Sequence, residues 1–547
     1  MFFKKYTLTL AALLCLLTAC TNDLDDYLDK AETGGMTLEE VFGDYVQAEK
    51  FLANVYAQLP SEYDTKYSAA TDEAKSPHGT APENEINNGV FTPARNPYNV
   101  WTALYQAIRK ANLFLENVEK VPIVNAEQRD GKPRMEGEAR FLRAFFYAEL
   151  HKRWGGVPIL ERALGINEDM NIARNSQEEV VAFIVSECNL AASLLPTEYT
   201  SNNLGRVTKG AALALKARTL LYAASLLHNP AQDQSKWKAA ADAAKEVMEL
   251  GKYSLHDNYK LLFHTRVSPE IIFQHTVNYT DFTLQTFVPS QGGQVGIAPL
   301  QNLVDAYEMK NGQLPVLSYT ANGTPVPNPA SGFDPNNPYQ NRDPRFYQSI
   351  IYNGAQWRGA TIYTYSGAPN DGINGGFNNT QTGYYLAKTV DENASRTPSV
   401  RNGNNFWIYM RYAEVLLNYA EAQNESLSAP DQSVYDAVNL VRARTNVQMP
   451  PLPAGLTKEQ MREKIRHERR IELAFEGHRY WDMKRWRIAE SIMKEAYGMM
   501  ITRQTDGSFS YRRILVENRV YKSAFDLFPI MQTELNRNNK LIQNPGY

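Results

Sequence analysis

The stretch Gly137-Glu-Ala-Arg-Phe-Leu-Arg-Ala-Phe-Phe-Tyr-Ala-Glu-Leu-His-Lys-Arg-Trp154 constrains the fold more than any other. Leu142, Phe146 and Leu150 recur every four residues with Phe145 beside them, and Arg140 and Arg143 fall on the other face, which is the pattern of a helix with one apolar side. Gly155, Gly156 and Pro158 stop it. A helix of this kind needs partners, and the chain supplies them. Leu213, Ala217, Leu220, Leu221, Ala224 and Leu227 form a second stripe, rich in small residues that let a neighbour approach closely. Asn229-Pro230 closes that helix, and Trp237 to Leu250 supplies its partner.

The helical pattern runs from about residue 38 to 270, in pairs separated by short turns. This predicts stacked hairpins of the tetratricopeptide type, although no 34-residue signature repeats. Composition changes near residue 276. Residues 276–404, under a quarter of the chain, hold 14 of its 32 Gly and 11 of its 28 Pro, so long helices cannot persist there. Thr361-Ile-Tyr-Thr-Tyr365 alternates like a short strand, amid turns such as Asn322-Gly323, Asn353-Gly354 and Asp371-Gly372. The many aromatics argue against disorder, and long ordered loops are usually functional. Helical pattern resumes over Phe406–Gln423, continues through Val434, Ala437, Val438 and Val441, and returns over Met461–Phe475. The fold class expected is mostly α, with tetratricopeptide-like stacked helical hairpins and an irregular, loop-rich, short-strand cap. Residues 31–547 read as one body, with 31–275 and 405–547 as helical scaffold and 276–404 as a ligand-binding cap.

The N-terminus carries an address. Lys4 and Lys5 precede an apolar run, Leu8 to Leu17, that is too short to span a bilayer and reads as a signal peptide over residues 1–19. Leu17-Thr18-Ala19-Cys20 resembles the bacterial lipobox, in which the signal is cut before a Cys whose sulfur is lipidated. Residues 20–30 would be a polar tether anchored at Cys20. Without Lys4 and Lys5, 55 basic residues face 60 acidic ones, a formal charge of −5, which excludes a nucleic-acid binder by charge. Cys15 leaves with the signal and Cys20 takes the lipid, so Cys188 stands alone and is expected as a buried thiol.

Catalytic patterns fail one by one. His467-Glu468 opens the zinc motif H-E-x-x-H, but position 471 is Ile. Asp334-Pro-Asn-Asn-Pro-Tyr lacks the Gly and closing Glu of a calcium loop. There is no G-x-S-x-G elbow and no phosphate loop. Glu468, Glu472 and Phe475 continue the stripe of Met461 and Ile465, which predicts half-buried carboxylates in an ion-pair network beside Arg469 and Arg470.

Six strings occur in order: Trp101-Thr-Ala-Leu-Tyr-Gln-Ala-Ile-Arg-Lys-Ala-Asn112, Gly137–Ala144, Arg342-Asp-Pro-Arg-Phe346, Arg411-Tyr-Ala-Glu-Val-Leu-Leu417, Arg466-His-Glu-Arg-Arg-Ile-Glu-Leu-Ala-Phe-Glu-Gly-His-Arg-Tyr-Trp-Asp-Met-Lys-Arg-Trp486 and Leu541-Ile-Gln-Asn-Pro-Gly-Tyr547. Together, behind a lipobox, they resemble the SusD-like (SusD/RagB) family across nearly the whole mature chain. Met531, in Leu527-Phe-Pro-Ile-Met-Gln532, departs from the family by standing where Pro is common. The resemblance implies an outer-membrane, extracellular-facing lipoprotein that needs no cofactor, binds an oligosaccharide or polysaccharide, and hands it to a TonB-dependent, SusC-like transporter without catalysis. A peptide-binding member of the same fold and a lipid-anchored glycoside hydrolase are the alternative readings.

A sugar offers C–H patches on its faces and hydroxyls around its rim, so its site needs exposed rings flanked by polar side chains. Tyr67 and Asp72 follow the first helix, and Asp72 falls where the resemblance implies ligand-contacting polar residues. The cap adds Tyr279, Trp357, Tyr363, Tyr365 and Tyr384, and Arg401 brings a cation. Gly354, Gln356, Arg358 and Gly359 around Trp357 suggest an exposed turn, whereas Trp101, Trp154, Trp481 and Trp486 lie in helical strings and are expected in the scaffold.

Overall fold

The computed structural model describes residues 36–60, 65–165, 167–199, 203–276, 282, 285–397, 400–402 and 406–547. Among them, ten helices reach eight residues or more: α1 (Tyr45–Tyr56), α2 (Trp101–Asn117), α3 (Ala126–Trp154), α4 (Gln177–Leu194), α5 (Lys209–Ala224), α6 (Gln234–Glu249), α7 (Tyr412–Ser426), α8 (Gln432–Arg442), α9 (Lys458–Glu472) and α10 (His478–Arg485). Their ends follow local chemistry. Asn125 caps α3 by accepting the Gln128 N–H at 2.9 Å, Ser176 and Glu179 close a capping box on α4, and Gly155 ends α3 at φ 72°, a conformation other residues adopt at a cost.

Each scaffold helix packs on the next: α2 on α3, α3 on α4, α4 on α5 and α5 on α6. The stack then continues from α6 onto α7 although residues 250–411 lie between them, and α7 contacts α8 and α9. The loop-rich block is thus inserted into a helical stack that closes beneath it. One large hydrophobic cluster fills the stack, with Trp101, Trp154 and Trp481 inside it. A second, smaller cluster is built from Phe287, Leu303, Tyr307, Phe346, Trp357 and Tyr384 of the insertion, and also takes Ile471 from the end of α9, Phe475 just beyond it, and Met499 and Ile501 from the hairpin Glu495–Arg503/Phe509–Asn518. All sheets among the described residues are two-stranded ribbons, which turn the chain without building a layer.

Residues 406–411 differ from the helix expected over Phe406–Gln423. Trp407–Arg411 is a strand paired with Ile271–His275, and α7 begins only at Tyr412. Aromatic and β-branched residues in Phe406-Trp-Ile-Tyr-Met suit a pleated surface, and the waiting partner strand decides the outcome. Met531 sits at φ −61°, the angle a proline would impose, so the departure leaves this turn unchanged. Cys188 is a buried free thiol whose pKa burial pushes up. No described helix is long and apolar enough to cross a membrane.

Beneath the insertion, scaffold and cap are joined by charge. Glu472 of α9, with no exposed side-chain surface, accepts from Arg345 (3.0 Å), Arg411 (2.8 Å) and Arg444 (2.7 Å). Glu468 binds Arg345 (2.5 Å) and Arg442 (2.8 Å). Glu476 binds Arg411 (2.6 Å) and Lys388 (2.7 Å), and Glu270 binds Arg411 (2.8 Å) and Arg444 (2.6 Å). The carboxylates are fully rather than half buried. Their partners also differ from those expected: Arg469 turns to Asp482 (3.1 Å) and Arg470 to Asp72 (2.7 Å). Burial opposes ionisation of Glu472, yet the guanidiniums of Arg444, Arg411 and Arg345 outweigh it and hold its carboxyl well below the usual range.

Glu472→Gln leaves three buried guanidiniums short of a counter-charge and is expected to cost about 3–5 kcal/mol. Because the native pKa is depressed, this stabilisation is present above the unfolded carboxylate value and fades as pH falls through the folded one. Thermal unfolding of the variant at neutral pH checks the expectation; an unchanged melting temperature would show that the network carries no net stability.

Candidate functional site

Three loops meet on the face of the cap: residues 76–81, 285–296 and 366–381. Local pairing brings them together. Ala74–Lys75 forms a short ribbon with Ala298–Pro299, and the Leu300 N–H donates to the Glu73 carbonyl at 2.8 Å. Asp371 accepts the Ser290 N–H at 2.8 Å, fixing the third loop to the second. Gln381 Nε2 donates to the Pro77 carbonyl at 3.3 Å, and His78 Nε2 lies 3.0 Å from the Gln294 carbonyl, so the first loop touches both others. Asn370 and Asn374 take positive φ (65° and 57°), a conformation Asn tolerates better than most residues.

The rings on this face are few and placed at its rim. Phe377, in Gly375-Gly-Phe-Asn-Asn379, is 79 % exposed, and its ring centroid lies 4.9 Å from that of His78 at an interplanar angle of 39°. Tyr363 is 42 % exposed and meets Tyr365 edge-on at 5.9 Å. Tyr365 is half-buried against Phe509 at 5.5 Å, with Arg503 above it at 5.9 Å. Around them, Gln285, Gln294, Asn370 and Asn374 are exposed. Amides both donate and accept, so the face matches a ligand with flat apolar patches and a rim of hydroxyls.

Sequence-expected residues divide sharply. Tyr363 and Tyr365 lie on the accessible face. Trp357 does not: it is 4 % exposed, in the ribbon Ala355–Trp357/Ala360–Ile362. Gly354 and Gly359 do make turns, at φ 89° and 77°, but the period-two alternation of the strand sends Gln356 outward and Trp357 inward, under Lys260 Nζ at 4.5 Å. Tyr384 is wholly buried and its hydroxyl donates to Gln301 Oε1 at 2.6 Å. Tyr67 packs inside the scaffold, 4.6 Å from Tyr98 and 5.1 Å from Tyr480, and accepts from Arg153 at 3.0 Å. Asp72 is held in two bonds from Arg479 (2.8 and 2.9 Å) and one ion pair with Arg470. Burial opposes its charge, but Arg470 and Arg479 prevail and hold the carboxyl well below the usual range. These four side chains are buried: Tyr67 in the scaffold core, Trp357 and Tyr384 in the second core, and Asp72 in its ion pairs. Cys20 and Tyr279 lie outside the described residues, as does the side chain of Arg401. Phe377 and His78 were not anticipated. The readable signal was one large ring isolated among Gly and Asn, with no apolar neighbours to bury it.

Two family models match the chain: one described as "SusD family" over residues 269–547, and one described as "Starch-binding associating with outer membrane" over residues 26–221. SusD-like protein P38 of Formosa agariphila is 26 % identical over 539 residues, covering 91 % of this chain and 94 % of its own. A SusD-like protein of Bacteroides ovatus is 23 % identical over 495 residues, covering 89 % and 83 %. Among solved structures, a SusD-like protein from Bacteroides fragilis superposes with a TM-score of 0.80 at 28 % identity, covering 94 % of this chain and all of its own. A SusD-like carbohydrate binding protein from the same species gives 0.78 at 28 % identity, with 92 % and 100 % covered.

In the segment that leads into the first loop, Glu73 is 1 % exposed beside Asp72. Its Oε1 has no hydrogen-bond partner, its Oε2 accepts a long bond, 3.4 Å, from the Phe475 N–H, and the nearby Ser68 hydroxyl offsets its burial only in part. Burial, reinforced by the charge of Asp72, pushes the carboxyl up to about 7. A folded-state pKa above the unfolded value means that the native protein binds this proton more tightly. Stability is therefore lost as pH rises from about 4.5 to about 7, and stays lower above. Glu73→Gln is expected to remove that loss, gaining up to about 3 kcal/mol on the native chain at pH ~8 and little at pH ~5. Denaturant unfolding at both values checks it; parallel curves for the two proteins would refute the assignment.

Proposed function

Because the chain belongs to the SusD family, we propose that it is a lipid-anchored outer-membrane protein that binds an oligosaccharide or polysaccharide outside the cell. It passes the glycan to a TonB-dependent, SusC-like transporter and catalyses nothing itself. The observation that carries this reading is Phe377: a ring 79 % exposed, braced by His78 and surrounded by amides, has no packing role to explain its placement. A pyranose face can stack on such a ring while its hydroxyls reach the flanking side chains. The description of the family model over residues 26–221 and the name of the Bacteroides fragilis carbohydrate binding protein favour a glycan over a peptide. Against hydrolysis, the carboxylate within these loops, Asp371, is 4 % exposed and already bound to the Ser290 N–H, so it is not placed to protonate a leaving group. The proposed division of the chain follows: residues 1–19 as signal, 20–30 as tether, and a body in which 276–404 carries most of the binding face.

Phe377→Ala is expected to weaken glycan binding by about 1–3 kcal/mol, as truncation of an aromatic anchor does, without moving the melting temperature. Calorimetric titration beside thermal unfolding distinguishes this from a packing role, for which stability would fall and affinity would not. Anchor and partner are checked together in membranes. Cys20→Ala is expected to release the body into the soluble fraction, and the native chain purified in mild detergent to bring a large β-barrel protein with it. A variant that stays membrane-bound with no transporter present, or a native chain always recovered alone, would count against each in turn.

A further inference from the structure

The three loops of the binding face have an unusual charge balance. Their 34 residues contain a single Asp, Glu, Lys or Arg side chain, Asp371, where a chain that is 21 % charged would place about seven by its own average. Asp371 is buried and spent on a backbone N–H. The outward polar groups are amides and hydroxyls instead: Gln285, Gln294, Asn370 and Asn374 are exposed, and Gln291 carries a buried Oε1 with no hydrogen-bond partner. Among the described residues, three cations that flank the loops are engaged elsewhere: the first, Lys75, pairs with Glu517 at 3.1 Å. Lys260 lies over the Trp357 ring and pairs with Glu392. Arg358 covers the Phe287 ring at 4.0 Å and donates to the Ala394 carbonyl at 2.9 Å. Arg503 is exposed and lies by the Tyr365 ring, outside the three loops.

We infer that the face selects uncharged glycans and rejects those bearing carboxylate or sulfate groups. This rests on the glycan-binding reading above and narrows it. An anionic polymer laid on Phe377 would lose part of its hydration, and the described loops hold no cation to replace it. A neutral sugar loses only hydroxyl–water bonds, which amides restore in kind, each amide donating to one hydroxyl and accepting from another. The ring of Phe377 adds an apolar platform that is indifferent to salt. His78 is the one titratable side chain on the outer surface of these loops, and its Nε2 is already set against the Gln294 carbonyl.

Native affinity electrophoresis tests it, with gels containing either neutral polymers (α- and β-glucans, β-mannan, xylan, galactan) or anionic ones (polygalacturonate, alginate, a sulfated galactan). The expected result is retardation by at least one neutral polymer and by no anionic one. That retardation should change less than about twofold between about 0.05 M and about 0.5 M salt, since neutral contacts are not screened. It should disappear in Phe377→Ala, which ties it to this face. Retardation by an anionic polymer that is lost both in salt and in Phe377→Ala would overturn the selectivity while leaving glycan binding intact. Retardation by no polymer, whether or not a peptide digest binds, would overturn both.

Discussion

The buried ion network around Glu472 is the constraint on which the rest of the molecule depends. Three guanidiniums converge on one carboxylate with no exposed surface, and they come from different places: Arg345 from the inserted block, Arg411 from the strand that leads back into the scaffold, and Arg444 from beyond α8. A charge so placed cannot be left without its partners, because several kcal/mol would be needed to bury it alone. The insertion is therefore held to the helical stack by groups that must all be present. Tyr259 and Lys388 close the arrangement, with the Lys388 ammonium donating to the Glu472 carbonyl at 2.9 Å and to Glu476. Burial draws that ammonium down to about 8.

Anchored in this way, the insertion has no need of long secondary structure. Its ribbons are two-stranded and short, and its own hydrophobic cluster, centred on Phe346, Tyr339, Trp357 and Tyr384, consumes most of its aromatic side chains. Among the described residues of the insertion, the rings left exposed are those that cluster could not take: Phe377 at the tip of a Gly-rich turn, Tyr363 on the outward side of a strand end, and Tyr347. The candidate binding surface is thus the residue of packing, made from side chains whose backbone conformation points them away from a second core. The buried charged pairs Asp72–Arg479 and Asp72–Arg470 hold the segment that leads into the first loop to α9 and α10.

Much of the scaffold was legible from periodicity. The stripes at Leu142–Phe146–Leu150 and Leu213–Ala217–Leu221 marked α3 and α5, and the glycine and proline after them marked their ends, because helix geometry repeats every 3.6 residues whatever the tertiary context. The stretch 406–411 was misread since a run of aromatic residues fits a helix stripe and a buried strand equally well, and only pairing with Ile271–His275 chooses between them. The candidate binding residues were harder still. Trp357 and Phe377 both sit among glycines, and nothing local says that one ring turns inward under Lys260 while the other turns out beside His78.

By itself, the sequence determined the family, the helical scaffold, the loop-rich insertion and the presence of an ion-pair network in α9, since each is written in residue order and spacing. The tertiary structure alone decided which charges meet and which rings remain exposed. Arg345 and Glu472 are 127 residues apart, and Phe377 and His78 belong to loops on either side of half the scaffold. Such contacts have no signature in the local pattern, because they depend on where the folded stack brings distant segments and on how much apolar surface the second core has already covered.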